Sequence, residues 1–128
     1  MGYFKDMEES IFYKMATGEI KPNTVVRYED DEMLAFDDLH PSAPVHVLII
    51  PKIPIESVAD LTETQAGLVG RMVYRAKLLA EEMGIAESGY RLTINVGKWG
   101  GQVVPYLHIH LLGGQPLNQD IEYFSHGE

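Results

Sequence analysis

The sequence predicts an α+β fold: an antiparallel sheet with one long helix on a face and a short N-terminal helix. Short runs of strand character outnumber helices and are joined by short turns. One segment, Thr62 to Met83, repeats its apolar residues at helical spacing. The chain has 128 residues, enough for one core and too few for two, and carries no repeat or linker, so residues 1–128 are read as one domain.

Each element has its own signal. Ser10 caps a short helix through Thr17, with Ile11, Phe12 and Met15 apolar and Gly18 as the stop. Val25 to Tyr28 is a short β-branched run, and an acidic, solvated turn at 29–32 leads to a second strand, Met33 to Phe36. Residues 37–44 form a loop stiffened by Pro41 and Pro44. Val45 to Ile50 is a nearly continuous apolar strand, interrupted only by His46 and ended by Pro51. Thr62 and Gln65 form a capping box for the long helix, in which Leu68, Val69, Met72, Val73, Ala76, Leu79, Ala80 and Met83 recur at helical spacing up to the stop at Gly84. Arg91 to Val96 alternates strictly, as a strand with one wet or functional face does. A glycine-rich loop, 97–101, precedes the last strand, Val103 to Leu112, interrupted at Pro105 and closed by Gly113 and Gly114; the tail from about 115 reads as extended.

Composition narrows the function. With 45% apolar and 23% charged residues, the chain is an ordinary soluble globular protein and neither disordered nor fibrous. There is no cysteine, which excludes disulfides, thiolate nucleophiles and cysteine-based metal sites and fits a reducing cytosol. The longest apolar run, Val45 to Pro51, is far shorter than the roughly 20 residues of a membrane helix. The N-terminus lacks an apolar signal core and has Asp6 where a myristoylation signal has Ser or Thr, so the expectation is a cytoplasmic protein without a membrane partner. Ten basic against nineteen acidic residues give a net charge of −9, which opposes nucleic-acid binding but leaves room for a small anion in a local pocket.

The histidines carry the chemistry. Alternation puts Tyr106, His108, His110 and Leu112 on one strand face and Leu107, Ile109 and Leu111 on the other. Imidazoles at i and i+2 stand about 6–7 Å apart along a strand. Three readings fit: satisfied sheet histidines, a metal site with His46 as third ligand, or a histidine nucleophile. The last is favoured, because an imidazole titrates near neutrality, attacks phosphorus and yields a phosphoimidazole that water hydrolyses. The loop before it, Gly97-Lys98-Trp99-Gly100-Gly101-Gln102, offers backbone N–H groups and a side-chain amide to a phosphoryl group. Trp99 suits either a cover for the site or a subunit interface, where aromatics are enriched.

Three segments together resemble the histidine triad (HIT) family: Ala43-Pro44-Val45-His46-Val47-Leu48-Ile49-Ile50-Pro51-Lys52, Asn95-x-Gly97-x-x-Gly100-Gly101-Gln102, and Tyr106 through Gly114. The run Ile11-Phe12-x-Lys14 and Gly18-Glu19-Ile20-x-Pro22 resembles the branch of histidine triad nucleotide-binding proteins. The resemblance implies a homodimeric HIT-like fold with a sheet of about five strands, and hydrolysis or transfer at the α-phosphate of purine, AMP-like nucleotides without a cofactor. By position, His108 matches the nucleophile, His110 the last triad histidine and His46 the upstream histidine of the set. Asp38 matches the acid that holds the ribose hydroxyls. Phe12, Phe36 and Leu39 match apolar walls of the base pocket, with plain core packing as the alternative. Asn95 and Gln102, with the backbone at Gly101, match phosphate contacts.

Two positions depart from the family pattern. Tyr106 stands where the first triad histidine would be, and its phenol brings one hydrogen-bond donor to a phosphoryl oxygen but no cationic charge. Val103 stands where that branch has a serine, and valine donates nothing. The expectation is a nucleoside phosphoramidase or AMP-releasing hydrolase with a phosphohistidine at His108. The alternative is a nucleotide- or partner-binding module in which Tyr106 and Val103 have weakened catalysis.

Overall fold

The computed structural model describes residues 7–118, so the expectations for the first six residues and for His126 in the tail lie outside the described residues. The elements are α1 (Ile11–Ala16), β1 (Val26–Glu29), β2 (Met33–Asp37), β3 (Val45–Pro51), α2 (Ala66–Glu82), β4 (Tyr90–Thr93) and β5 (Ile109–Gly113). The strands form one five-stranded antiparallel sheet in the order β1-β2-β3-β5-β4. The α+β architecture expected from the sequence is what the chain adopts.

Period-two alternation distributes the side chains between two cores. On one face Met33, Ala35, Val47, Ile49, Ile109 and Leu111 meet the apolar stripe of α2, namely Leu68, Met72, Ala76, Leu79 and Ala80. Fully buried residues such as Met72 and Leu79 each contribute about 1.5–3 kcal/mol by leaving water. On the other face Leu34, Phe36, Leu48, Ile50 and Tyr106 pack against Phe12, Met15 and Ala16 of α1. The sheet is thus covered on both faces, by a long helix and a short one.

The helix ends follow their sequence signals. The Ser10 side chain accepts the Tyr13 N–H at 3.1 Å, and Gln65 accepts the Thr62 N–H at 3.0 Å. The first turn of the long helical segment, Glu63–Gln65, is 3-10 rather than α. Gly84 takes φ +75°, letting its N–H reach the Glu81 carbonyl and the Ile85 N–H reach that of Ala80.

Two strands are shorter than the sequence suggests. β4 ends at Thr93 instead of Val96, and β5 begins at Ile109 instead of Val103. Pro105 has no N–H to give to a ladder. Around it the chain bonds locally and sideways: Tyr106 N–H to the Val104 carbonyl at 2.8 Å, and Leu107 N–H to the Ile55 carbonyl at 2.8 Å. Facing nonetheless continues through this non-strand stretch, with Tyr106 in the α1-side core and Leu107 in the α2-side core.

Candidate functional site

The pairing of β3 with β5 sets Leu48 opposite His110 and His46 opposite Leu112, which brings three imidazoles together across two strands. The His108 and His110 ring centres are 4.9 Å apart, and those of His46 and His110 are 5.2 Å apart. A cavity of about 260 Å³ opens beside them, lined by Phe12, Asp38, Leu48, Asn95, Gly101, Val103, Val104, His108 and His110. A larger opening of about 990 Å³, around Gly84–Leu92 and 114–117, has neither histidine nor carboxylate among the described residues that line it, so it offers no comparable chemistry.

Backbone groups fix the proton positions. His108 Nδ1 lies 2.7 Å from the Tyr106 carbonyl oxygen. A carbonyl only accepts, so Nδ1 carries the proton and Nε2 keeps its lone pair. The Ser42 N–H donates to His46 Nδ1 at 2.9 Å, so the His46 proton sits on Nε2. That Nε2–H faces His110 Nδ1 at 3.0 Å and Asp38 Oδ2 at 3.4 Å. With Nδ1 accepting, neutral His110 carries its proton on Nε2. Two backbone groups thus define a nucleophilic nitrogen on one ring and a proton donor on its neighbour.

Burial keeps all three rings neutral. It holds His46 below the ordinary imidazole range against the pull of Asp38, and it lowers His108 against the hydrogen bond to the Tyr106 carbonyl. His110 falls furthest, to about 4, through burial first and then the neighbouring charges of His108 and His46.

The remaining site residues divide. Phe12 lines the cavity and stands edge-on to His108, with ring centres 5.1 Å apart. Asp38 reaches it from the loop after β2, its Oδ1 accepting the His40 N–H at 2.8 Å. Asn95 and Gly101 also line it; Asn95 Nδ2 donates to the Gly100 carbonyl at 2.9 Å, and Gly101 takes φ +81°, a conformation suited to glycine. Phe36 sits behind Phe12 in the core, edge-on at 5.7 Å, so the packing alternative describes it better than a pocket wall. Leu39 is exposed and outside the cavity lining.

Two expectations are corrected. Gln102 is 1% exposed and its amide is fully engaged by backbone: Oε1 accepts the Gly97 N–H at 2.9 Å, and Nε2 donates to the carbonyls of Glu56 (2.8 Å) and Val104 (3.0 Å). It clasps the glycine loop and has no atom left for a phosphate. Tyr106 is fully buried and its hydroxyl donates to the Pro51 carbonyl at 2.6 Å, so the phenol is turned away from the cavity and gives nothing to a phosphoryl oxygen. Burial pushes its ionisation up, so it stays a donor at neutral pH.

Leu48 and Val104 line the cavity and were not singled out; Leu48 is two residues from His46 on β3, so strand alternation could have found it. Val103 stands at the cavity with 79% of its surface exposed. Trp99, 99% exposed, lines a different opening of about 540 Å³ that shares Asn95, Gly101 and His110 with the first. As for metal ligation, the donor atoms of Asp38, His46 and His110 all lie within 4.8 Å of one another. That set has Asp38 where the sequence suggests His108.

Residues 18–117 match the HIT domain family. The chain is 49% identical over 110 residues to the purine nucleoside phosphoramidase of Escherichia coli (strain K12), an alignment covering 86% of this chain and 91% of that protein. It is 44% identical over 111 residues to the adenylylsulfatase HINT1 of Arabidopsis thaliana, covering 85% and 74% respectively. Among solved structures, a HIT family hydrolase from Legionella pneumophila Philadelphia 1 superposes with a TM-score of 0.81 at 44% identity, covering 87% of this chain and 97% of that one.

Proposed function

The chain belongs to the HIT domain family, and from that membership we propose that it hydrolyses nucleoside 5′-phosphate derivatives at the α-phosphorus, releasing a purine nucleoside monophosphate. The observation that carries the reading is the 2.7 Å contact from His108 Nδ1 to the Tyr106 carbonyl, which leaves Nε2 as a nucleophile beside a cavity with an acid and an aromatic wall. Similarity to a purine nucleoside phosphoramidase and to an adenylylsulfatase supports a phosphoramidate or AMP-adduct substrate.

In this mechanism the His108 Nε2 lone pair attacks phosphorus. The bond from phosphorus to the leaving nitrogen or oxygen breaks, and its electron pair departs with that atom. A proton taken up from solvent by the His110–His46 pair as the anionic substrate binds passes from His110 Nε2–H to a leaving amine, which leaves the pair neutral and linked through the 3.0 Å His46 Nε2 to His110 Nδ1 contact. Water then attacks the phosphoimidazole; the P–Nε2 bond breaks, the pair returns to His108, and the water proton passes to the His110–His46 pair. Asp38 would accept the ribose hydroxyls, and Phe12 with Leu48 would flank the nucleoside. The backbone at Gly101 and the Asn95 amide would meet the phosphoryl oxygens. We further propose a homodimer, which the sedimentation mass of the purified protein tests.

The test is turnover of adenosine 5′-phosphoramidate and an AMP–lysine adduct, beside an AMP titration, for wild type and His108→Ala. Turnover is expected to fall by roughly a thousandfold or more in the variant, with AMP affinity largely kept. AMP binding without turnover in the wild type would favour the binding-module reading. An active alanine variant would contradict the nucleophile.

A further inference from the structure

The mechanism leaves the buried Tyr106 phenol unused. Tyr106 has no exposed surface, yet its hydroxyl reaches the Pro51 carbonyl at 2.6 Å and the Ile53 carbonyl at 3.4 Å. Pro51 ends β3 and Ile53 lies just past it, on a segment distant in sequence from Tyr106. The same residue's carbonyl is the acceptor for His108 Nδ1. That carbonyl shares a peptide unit with the Leu107 N–H, which is bonded to Ile55 at 2.8 Å. The Tyr106 N–H in turn bonds the Val104 carbonyl, which the buried Gln102 amide also holds. The peptide that sets the His108 tautomer is therefore pinned from two sides: by Leu107 on one face of the sheet and by the phenol on the other.

We propose that Tyr106 is a positioning residue for the nucleophile: its phenol, anchored on the Pro51 carbonyl, holds the Tyr106 carbonyl where it keeps the His108 proton on Nδ1 and the lone pair on Nε2. This rests on the proposed function only for its effect on rate. A six-membered ring with a para hydroxyl spans the α1-side core to the end of β3, with the Tyr13 ring edge-on at 6.3 Å. If Tyr106 merely filled that core, removing one oxygen would leave the imidazole unaffected. If it positions, the same deletion frees the peptide and lets the proton redistribute between Nδ1 and Nε2. Only the Nδ1–H tautomer presents a lone pair at Nε2, so kcat falls while substrate binding, made elsewhere in the cavity, holds.

The experiment compares wild type with Tyr106→Phe, using ¹⁵N signals of the histidine side chains for the His108 tautomer and steady-state kinetics on adenosine 5′-phosphoramidate. Expected are a wild-type His108 protonated at Nδ1, a mixture of tautomers in Y106F, and a kcat lower by about tenfold with KM within about twofold. An unchanged His108 signal with unchanged kcat in folded Y106F would overturn the proposal. If Y106F does not fold, Tyr106→Met, which fills the space with a flexible apolar chain, takes its place: a mixed tautomer with lowered kcat supports the proposal, and an unchanged signal and kcat overturn it. A wild type without turnover overturns the proposed function alone, and the His108 signal then decides the role of Tyr106.

Discussion

At the scale of single residues, three imidazoles share a small volume, and among the described residues none has an acid closer than 3.4 Å, the separation of His46 Nε2 and Asp38 Oδ2. Burial therefore outweighs attraction, and each ring stays neutral. The consequence for stability follows from proton counting. In the unfolded chain these rings titrate near pH 6.5, whereas in the fold His110 titrates at about 4. Between those values the unfolded state binds more protons, so stability rises with pH across that window. It is fully present above about pH 6.5 and lost as pH falls towards 4. Thermal unfolding of wild type and His110→Asn from pH 4 to 8 checks this: the wild-type Tm should drop on the acid side more steeply than that of the variant. Parallel curves would show that His110 is not held neutral.

At the scale of elements, the stretch from Asn95 to His108 has little regular structure and depends on side chains for its shape. Gln102 is the main clasp, holding Gly97 in the loop, Glu56 across the fold and Val104 just beyond. Gln102→Ala would leave the half-buried Gly97 N–H and Glu56 carbonyl without their partner and the Val104 carbonyl with the Tyr106 N–H alone, at a cost of about 1–3 kcal/mol. Activity should fall with stability, because Val104 precedes the nucleophile's turn; denaturant unfolding and kcat of Q102A measure both. A variant as stable and as active as wild type would show that Gln102 is no clasp. The same stretch marks the limit of what the sequence makes legible. Alternation correctly puts His108 and His110 on the face opposite Ile109, because side-chain facing depends only on neighbours along the chain. The strand limits are not legible, since Pro105 diverts bonding to Ile55, about fifty residues earlier. For the same reason Gln102 and Tyr106 read as ligand contacts: their partners, Glu56 and Pro51, are backbone carbonyls that no local pattern reveals.

At the scale of the molecule, the sheet order β1-β2-β3-β5-β4 puts β3 and β5 side by side at the centre, with α2 covering one face and α1 part of the other. His110 on β5, His108 just before it and His46 on β3 meet there because of the β3–β5 register. This architecture is legible because a long capped helix and several short apolar runs leave few alternatives. Under the proposed function the chain's charge of −9 would be opposed locally, with backbone dipoles and neutral imidazoles meeting the substrate phosphate. Among the described helices, none is long and apolar enough to cross a membrane.

The central claim is that hydrolysis proceeds through phosphorus bonded to His108, and stereochemistry at phosphorus tests it most directly. A P-chiral phosphorothioate analogue of adenosine 5′-phosphoramidate, hydrolysed in ¹⁸O water, reports the number of displacements. Two in-line steps, one by His108 and one by water, predict overall retention of configuration. Inversion would mean a single attack by water and would contradict the phosphohistidine route.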